Sequence, residues 1–428
     1  MQARSSRPAS AGKQSSHVTC PFCGLLCDDI HLSRTDNQLT VSANGCDKSR
    51  AGFERPPLSA TTRINGETAT LEDATRHVAR LLKGSRQPLI AGLGVDVSGM
   101  RGAMNLADRT GATLDHMLGE GLMRNFLTLQ DRGWMMTTLT EIRNRADLIV
   151  FAATDATAFP RFFERTVWNA DSMFATRTDA REIVYLGRGL DSRPGRSPKG
   201  RKATEIKCDN RRIGEVVAAI RALAAGKELQ THSVAGAKIK DLRQLAEKMQ
   251  QAKYGVLVWS PADLAFPHAD LAVQSIAELV KDLNETTRFG GFTLGGDEGA
   301  MSAAQVCAWQ SGFPLRTSFA QGQPDYDHSR YSTARMLEDG EADCMLWIST
   351  FNPDRLPPEA DIPTIVIGPP QMQFKREPEV FIPAGTPGID HAGQHIRCDT
   401  VVTLRLHAQR EAQAPSAAEI LEQIQQSL

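Results

Sequence analysis

The chain of 428 residues is long enough for two or three domains, and its 41% hydrophobic and 23% charged residues are ordinary for a globular protein. A net charge of −1 predicts no overall attraction to nucleic acid or to an anionic membrane. No apolar run reaches the length of about 18 residues that a membrane-spanning helix needs. Eight cysteines, four of them closely spaced, favour a reducing compartment, so we expect a cytoplasmic protein.

The first 56 residues divide into a tail and a cysteine module. Residues 1–16 are polar and Ser-rich, without the apolar stretch of a secretory signal, and predict a disordered tail. Residues 17–56 contain Cys20, Cys23, Cys27 and Cys46 in the spacing C-x2-C-x3-C-x18-C. Strand-like stretches at 28–32 and 39–42, joined by a turn, predict a small sheet that holds the two halves of this module.

Four thiolates from two short segments can enclose one metal centre, and zinc and a [4Fe–4S] cluster are the usual occupants. The short first spacings are typical of a cluster. Zinc, however, would keep the same tetrahedral thiolates without any redox chemistry. The sequence therefore predicts a metal site at these four cysteines and leaves three alternatives open: zinc, a [4Fe–4S] cluster or an empty site.

From about residue 70 onward, apolar strand-like runs alternate with helical stretches. The runs lie at 88–93, 147–152, 182–186, 254–259, 344–348 and 364–367, and the helical stretches at 100–107, 212–225 and 271–280. This alternation predicts an α/β fold with parallel sheets covered by helices. We expect one doubly wound domain from residues 57–230 plus 341–428, and a second from residues 231–340. The polar stretch 189–202 predicts an exposed basic loop.

Several residues that could take part in binding or catalysis are better explained by structural roles. Gly92-Leu93-Gly94 is typical of a tight strand-to-helix turn, and His116 of a hydrogen-bonded histidine at a strand end. Asp297 and Glu298 stand between glycines and predict a solvated loop rather than an acid–base pair. We expect residues 159–163 and Cys398 to serve packing.

The chain resembles the B subunit of formylmethanofuran dehydrogenase, a member of the molybdopterin oxidoreductases. The cysteine motif looks like that family's N-terminal cluster motif. Other family-like segments follow in the same order along the chain: 89–93, 104–107, 111–115, 281–284, 287–289, 380–383, 388–390 and 393–397. The resemblance implies a molybdopterin-oxidoreductase-like fold and, in the family, a tungsten or molybdenum ion held by two pterins and one cysteine or selenocysteine.

Three places depart from what this cofactor requires. The segment 115–125, where the family supplies its metal ligand, has no cysteine and no serine. The alternative metal ligand in this segment is a carboxylate, Asp115 or Glu120. The turn at 152–157 has alanine and threonine where glycine would let a pterin approach the backbone. The loop 294–299 carries two carboxylates, which would repel pterin phosphates. We therefore expect neither molybdopterin nor tungstopterin.

This combination resembles the B subunit of the bacterial formyltransferase/hydrolase complex. The resemblance implies a non-catalytic, vestigial dehydrogenase subunit, without catalytic or cofactor-binding residues of its own. Its partners would be the A (amidohydrolase), C and D (formyltransferase) subunits, in tetrahydromethanopterin-linked oxidation of formaldehyde to formate, with no nucleic acid or membrane partner. The alternative is an active formylmethanofuran-type dehydrogenase that binds tungsto- or molybdopterin and a [4Fe–4S] cluster.

Overall fold

The computed structural model describes residues 13–59, 61–174 and 177–428. Its strands are β1 (Lys13–Val18), β2 (Ile30–Thr35), β3 (Gln38–Ala43), β4 (Arg63–Ile64), β5 (Glu67–Thr68), β6 (Pro88–Gly94), β7 (Thr113–Leu114), β8 (Leu148–Ala152), β9 (Glu182–Leu186), β10 (Thr204–Ile206), β11 (Ser233–Val234), β12 (Ala237–Lys238), β13 (Gly255–Trp259), β14 (Phe289–Thr293), β15 (Thr317–Ser318), β16 (Asp325–Tyr326), β17 (Cys344–Ser349), β18 (Thr364–Gly368), β19 (Val380–Pro383), β20 (Gly393–Ile396) and β21 (Thr403–Leu406).

The helices are α1 (Asp47–Phe53), α2 (Leu71–Gly84), α3 (Val97–Thr110), α4 (Gly119–Arg132), α5 (Leu139–Arg145), α6 (Ile213–Ala224), α7 (Ile239–Gln251), α8 (Ala269–Leu283), α9 (Ala300–Ser311), α10 (Thr333–Glu338) and α11 (Ala417–Gln426). Short 3-10 turns lie at Thr178–Ala180, Arg193–Gly195, Asn210–Arg212 and Asp297–Gly299, and a π-helical turn at Phe163–Val167. None of the described helices is long and apolar enough to cross a membrane.

The chain divides into two compact units. The first contains the described residues up to 117 together with 297–397 and 403–428; the second contains 118–296 and 398–402. The predicted boundaries, 57–230 plus 341–428 and 231–340, fall elsewhere. The reason is sheet membership, because β8 and β9 belong to the same sheet as β13 and β14 and not to the sheet that contains β6.

The first unit is built on a nine-stranded sheet in the order β16-β15-β7-β6-β17-β18-β19-β4-β5. Its centre, from β7 to β19, is parallel, and the strands β6 and β17 are buried along their whole length. Continuous burial explains why these strands read as unbroken apolar runs in the sequence. Gly92 (φ 78°) and Leu93 (φ 56°) lie within β6, where its pairing with β17 shifts register, so the predicted strand-to-helix turn at residues 92–94 is corrected to an irregularity near the end of the strand.

The second unit is built on a five-stranded parallel sheet in the order β10-β9-β8-β13-β14. Helices α6, α7 and α8 bury an apolar core against it. The segment 159–163 packs as expected, since Phe162 lies edge-on to Phe151 with ring centroids 6.2 Å apart. Cys398 is 1% exposed, in agreement with its predicted role in packing.

The cysteine module belongs to the first unit and contains the antiparallel sheet β1-β2-β3 followed by α1. Strands β2 and β3 correspond to the predicted small sheet. The predicted disordered tail of residues 1–16 is corrected in part. Residues 13–16 belong to β1 and pair with β2, because a polar strand can still form a backbone ladder, while residues 1–12 lie outside the described residues.

Candidate metal centre

Three of the four N-terminal cysteines lie on one tight turn. The Cys20 amide donates a hydrogen bond to the Cys27 carbonyl at 2.8 Å, and the Leu26 amide donates to the Cys23 carbonyl at 3.1 Å. Leu26 adopts a left-handed conformation (φ 44°), which lets the chain turn within so few residues. The side chains of Cys20, Cys23 and Cys27 are all buried.

The fourth cysteine lies at the start of α1. The Cys46 amide donates to the Ser49 hydroxyl at 2.8 Å, and that hydroxyl donates to the Cys46 carbonyl at 2.7 Å, which closes the first turn of the helix. Phe22, between the first two cysteines, packs edge-on against Phe53 of α1 with ring centroids 5.2 Å apart. The two cysteine segments are therefore packed against each other.

The thiols influence one another electrostatically. Burial raises the pKa of Cys20 well above its ordinary value, and the neighbouring Cys23, Cys27 and Cys46 raise it further. Burial and then the nearby Asp297 raise the pKa of Cys23. A metal cation would reverse this by stabilising the thiolates, and such a donor set suits a soft or borderline metal.

The described residues contain no three or more His, Cys, Asp or Glu side chains that, as placed, could hold a metal ion. The metal site at Cys20, Cys23, Cys27 and Cys46 therefore stays a prediction. Its support is the spacing, the burial and the mutual electrostatic influence of the thiols.

A distant carboxylate holds the two cysteine segments together. Asp297 accepts a hydrogen bond from the Gly24 amide at 3.0 Å and forms an ion pair with Lys48 at 2.6 Å. Gly24 follows Cys23, and Lys48 lies two residues after Cys46. Sequence reasoning did not find this contact; the available signal was a lysine close to the fourth cysteine and an acidic pair flanked by glycines.

The neighbouring Glu298 serves a different cluster. Glu298 has a left-handed backbone conformation (φ 52°), and its side chain has a different partner from that of Asp297. The Glu298 carboxylate forms an ion pair with Arg355 at 2.7 Å. The side chain of Glu298 is buried, which corrects the prediction of a solvated loop. The Glu298 carbonyl oxygen lies 3.3 Å from His116 Nε2 and accepts a hydrogen bond from it. Burial lowers the pKa of His116 to about 4, so this histidine is neutral at pH 7.

The two carboxylates that are the alternative metal ligands, Asp115 and Glu120, lie in different environments. Asp115 is buried, lies 3.4 Å from Arg316, and accepts hydrogen bonds from the Thr333 amide (2.8 Å) and hydroxyl (2.9 Å). Burial raises the pKa of Asp115, although these partners act in the opposite direction. Glu120 lies exposed in the first turn of α4.

The turn that departs from the pterin pattern has an unusual backbone in the second unit. Ala153 (φ 53°) and Ala156 (φ 62°) both occupy the left-handed region that favours glycine. Between them, the Thr154 hydroxyl donates to Asp263 at 2.6 Å. A methyl group thus stands at each position where glycine would leave the backbone open to a ligand, so these residues fit a pterin poorly.

These features define an α/β protein of two sheet-based units, the first of which includes the four-cysteine module. No family model matches the chain. It is 28% identical over 405 residues to the B subunit of the tungsten-containing formylmethanofuran dehydrogenase 2 of Methanocaldococcus jannaschii, with 90% of this chain and 91% of the relative covered. It is 29% identical over 330 residues to the B subunit of the formyltransferase/hydrolase complex Fhc of Methylorubrum extorquens, with 76% of this chain and 85% of the relative covered.

A solved structure agrees with these relatives. One chain of the crystal structure of the formyltransferase/hydrolase complex from Methylorubrum extorquens, in complex with methylofuran, matches with a TM-score of 0.72 at 28% identity. The match covers 86% of this chain and 98% of that chain. The protein is therefore a homologue of the B subunits of formylmethanofuran dehydrogenase and of the formyltransferase/hydrolase complex, which confirms the resemblance and the α/β fold class.

Proposed function

We propose that this protein is a non-catalytic B subunit that scaffolds a formyltransferase/hydrolase complex in tetrahydromethanopterin-linked one-carbon metabolism. The observation that carries the proposal is the segment 115–125, which contains no cysteine or serine. A metal held by dithiolenes takes a thiolate ligand well, and this segment offers none. Homology to the B subunit of the formyltransferase/hydrolase complex supports the choice of complex.

The carboxylate alternatives support the same proposal. Both oxygens of Asp115 are engaged, one by Arg316 and the other by Thr333. Releasing this carboxylate for a metal would leave a buried arginine without its partner, which costs about 3–5 kcal/mol. Asp115 is therefore better explained as a structural residue than as a metal ligand.

The two other altered places also have structural uses. Ala153 and Ala156 place methyl groups on a left-handed turn, and Asp297 and Glu298 each form an ion pair. Lys48 and Arg355, the cations that could bind phosphate beside this loop, are already paired with these two carboxylates. We infer that this subunit has kept the α/β scaffold while the cofactor-binding positions have acquired packing and anchoring roles.

The proposed partners are an A (amidohydrolase) subunit together with C and D (formyltransferase) subunits. In this assembly the cysteine module would have a structural role, with one zinc ion or one [4Fe–4S] cluster held by Cys20, Cys23, Cys27 and Cys46. A bound metal would contribute directly to the folding of the module, because the thiolates are brought together only in the folded state.

The test is elemental analysis of the natively purified complex, combined with an ultraviolet–visible spectrum of the same sample. We expect co-purification with the partner subunits, zinc or iron at the level of one centre per chain, and neither tungsten nor molybdenum. Tungsten or molybdenum with bound pterin at one per chain would overturn the proposal.

The second candidate is an active formylmethanofuran-type dehydrogenase. It is favoured by the four-cysteine motif and by similarity over 90% of the chain to a tungsten-containing dehydrogenase subunit. It would require a carboxylate or solvent ligand in place of the missing thiolate. Reduction of a viologen dye by the formylated carrier, in protein from cells supplied with tungsten and molybdenum, would support this candidate, and absence of dye reduction would count against it.

A further inference from the structure

The segment 188–212, which connects β9 to β10 and leads into α6, is strongly basic. It contains nine lysines and arginines against three acidic residues, a net charge of +6 in a chain whose total is −1. All nine cationic side chains belong to exposed residues. The positive charge of the second unit is therefore concentrated along one edge strand, β10, and the turns at its two ends.

Four of the nine cations already have partners within the second unit. Arg193 pairs with Asp191 at 2.7 Å, Lys199 with Asp179 at 2.7 Å and Arg212 with Glu215 at 2.5 Å, while Arg201 donates to the carbonyl of Arg181. The other five have no acidic partner among the described residues, and we call them the basic edge: Arg188, Arg196, Lys202, Lys207 and Arg211.

The acidic residues of the same segment offset only part of the charge of the basic edge. Asp191 is paired with Arg193, whereas Glu205 accepts a hydrogen bond from the Ser192 hydroxyl and lines the same cavity as Arg188 and Lys207. Asp209 accepts the Arg211 amide at 3.0 Å and so caps a turn rather than pairing with a cationic side chain. The segment therefore keeps an excess of positive charge, which a polyanionic partner would offset.

The backbone that carries the basic edge is ordered at both ends of β10. At one end, Asn210 accepts the Arg188 amide at 2.8 Å and donates to the Arg188 carbonyl at 3.1 Å. Arg188 and Lys207 line the same cavity there, of about 270 Å³. At the other end, the Ser197 amide donates to the Arg201 carbonyl at 2.9 Å, in a turn that carries Arg196 and Lys202.

We propose that the basic edge binds an acidic segment of a partner subunit. Arginine supplies three of its five cations, and the planar guanidinium matches a carboxylate in a bidentate manner. The segment 188–212 contains no aromatic residue, whereas sites for single-stranded nucleic acid combine cations with aromatic rings that stack on bases. The observations thus favour an acidic polypeptide over nucleic acid. The inference rests on the proposed function, since it requires membership of a complex.

The test is charge reversal within the native complex. One variant combines Arg196→Glu, Lys202→Glu and Lys207→Glu. A matched control combines Lys240→Glu, Lys281→Glu and Lys375→Glu, three exposed lysines outside the basic edge that change the net charge by the same amount. Each chain is expressed with its partner subunits and purified through a tag on one of those partners, at about 0.1 M salt and at about 0.5 M salt, where exposed charges are largely screened.

We expect the wild type and the control to co-purify at low salt, and the basic-edge variant to bind at least about tenfold more weakly. Equal recovery of the basic-edge variant and the control would overturn the inference while leaving the proposed function intact. Failure of the wild type itself to co-purify would overturn both. Nucleic acid bound to the wild type and lost from the basic-edge variant, with the complex intact, would also overturn the inference and assign the surface to nucleic acid.

Discussion

Asp297 and Lys48 form an ion pair of 2.6 Å that attaches the cysteine module to the turn before α9. The other oxygen of Asp297 accepts the Gly24 amide at 3.0 Å. Because Gly24 follows Cys23 and Lys48 lies close to Cys46, one side chain holds both cysteine segments. Burial alone would lower the pKa of Lys48, but Asp297 outweighs it and raises that pKa, so the lysine stays charged.

We expect Asp297→Asn to lower the free energy of unfolding by about 1 kcal/mol, because it removes the ion pair while keeping an oxygen for the Gly24 amide. Chemical denaturation of the purified chain measures the change. Asp361→Asn is the matched control, since Asp361 pairs with Arg376 on the open surface, where both side chains are at least 74% exposed. Equal losses in the two variants would contradict a special role for Asp297.

We expect Cys23→Ser to abolish metal binding and to lower the free energy of unfolding by several kcal/mol, because metal binding contributes directly to folding. Cys344→Ser is the control, since Cys344 is buried in β17, outside the cysteine module. Metal content and thermal unfolding of the two variants provide the comparison. If Cys23→Ser kept both its metal and its melting temperature, the predicted ligand set would be wrong.

Much of the fold could be predicted because its central strands are buried on both faces. The runs 344–348 and 365–367 are continuously apolar, which is typical of strands in a parallel sheet covered on both faces. The cysteine module was predictable for a different reason. Three of its cysteines lie within eight residues, so local spacing alone indicates a shared site.

The domain boundaries and the Asp297 contact could not be predicted in the same way. The strands β7 and β15, which extend the large sheet, have two residues each and leave no periodic pattern. Asp297 contacts Gly24 although the two residues are 273 positions apart in the sequence, and the residues around either one do not predict the contact. Contacts between residues far apart in the sequence depend on the topology of the complete fold, and local sequence patterns do not reveal them.

The two glycines at the ends of α9 should respond very differently to alanine. Gly299 (φ 83°) would place a Cβ 2.4 Å from the Val95 carbonyl oxygen, whereas Gly312 (φ 87°) has open space around it. Both substitutions carry backbone strain of about 1 kcal/mol, but only Gly299→Ala adds a clash with backbone. We expect Gly299→Ala to cost about 3 kcal/mol or more of unfolding free energy. Similar costs at both positions, measured by denaturation, would contradict this packing.

The buried histidine His116 should make stability depend on pH. Burial lowers its pKa from an ordinary 6.5 to about 4, so between these values the unfolded chain binds more protons than the folded one. The contribution of His116 to the free energy of unfolding therefore falls by about 3 kcal/mol as the pH decreases from about 7 to 4. His395, also buried with a pKa lowered to about 4, acts in the same direction. Glu298 acts in the opposite direction, since burial raises its pKa.

A difference measurement isolates the His116 contribution. His116→Gln keeps a donor for the Glu298 carbonyl but does not titrate, so we expect its unfolding free energy to fall about 3 kcal/mol less than that of the wild type between pH 7 and pH 4. His232→Gln serves as the control, because His232 is exposed, and it should follow the wild-type profile. Parallel profiles for the wild type and His116→Gln would mean that His116 has the same pKa in the folded and unfolded chain, which its burial beside Arg355 argues against.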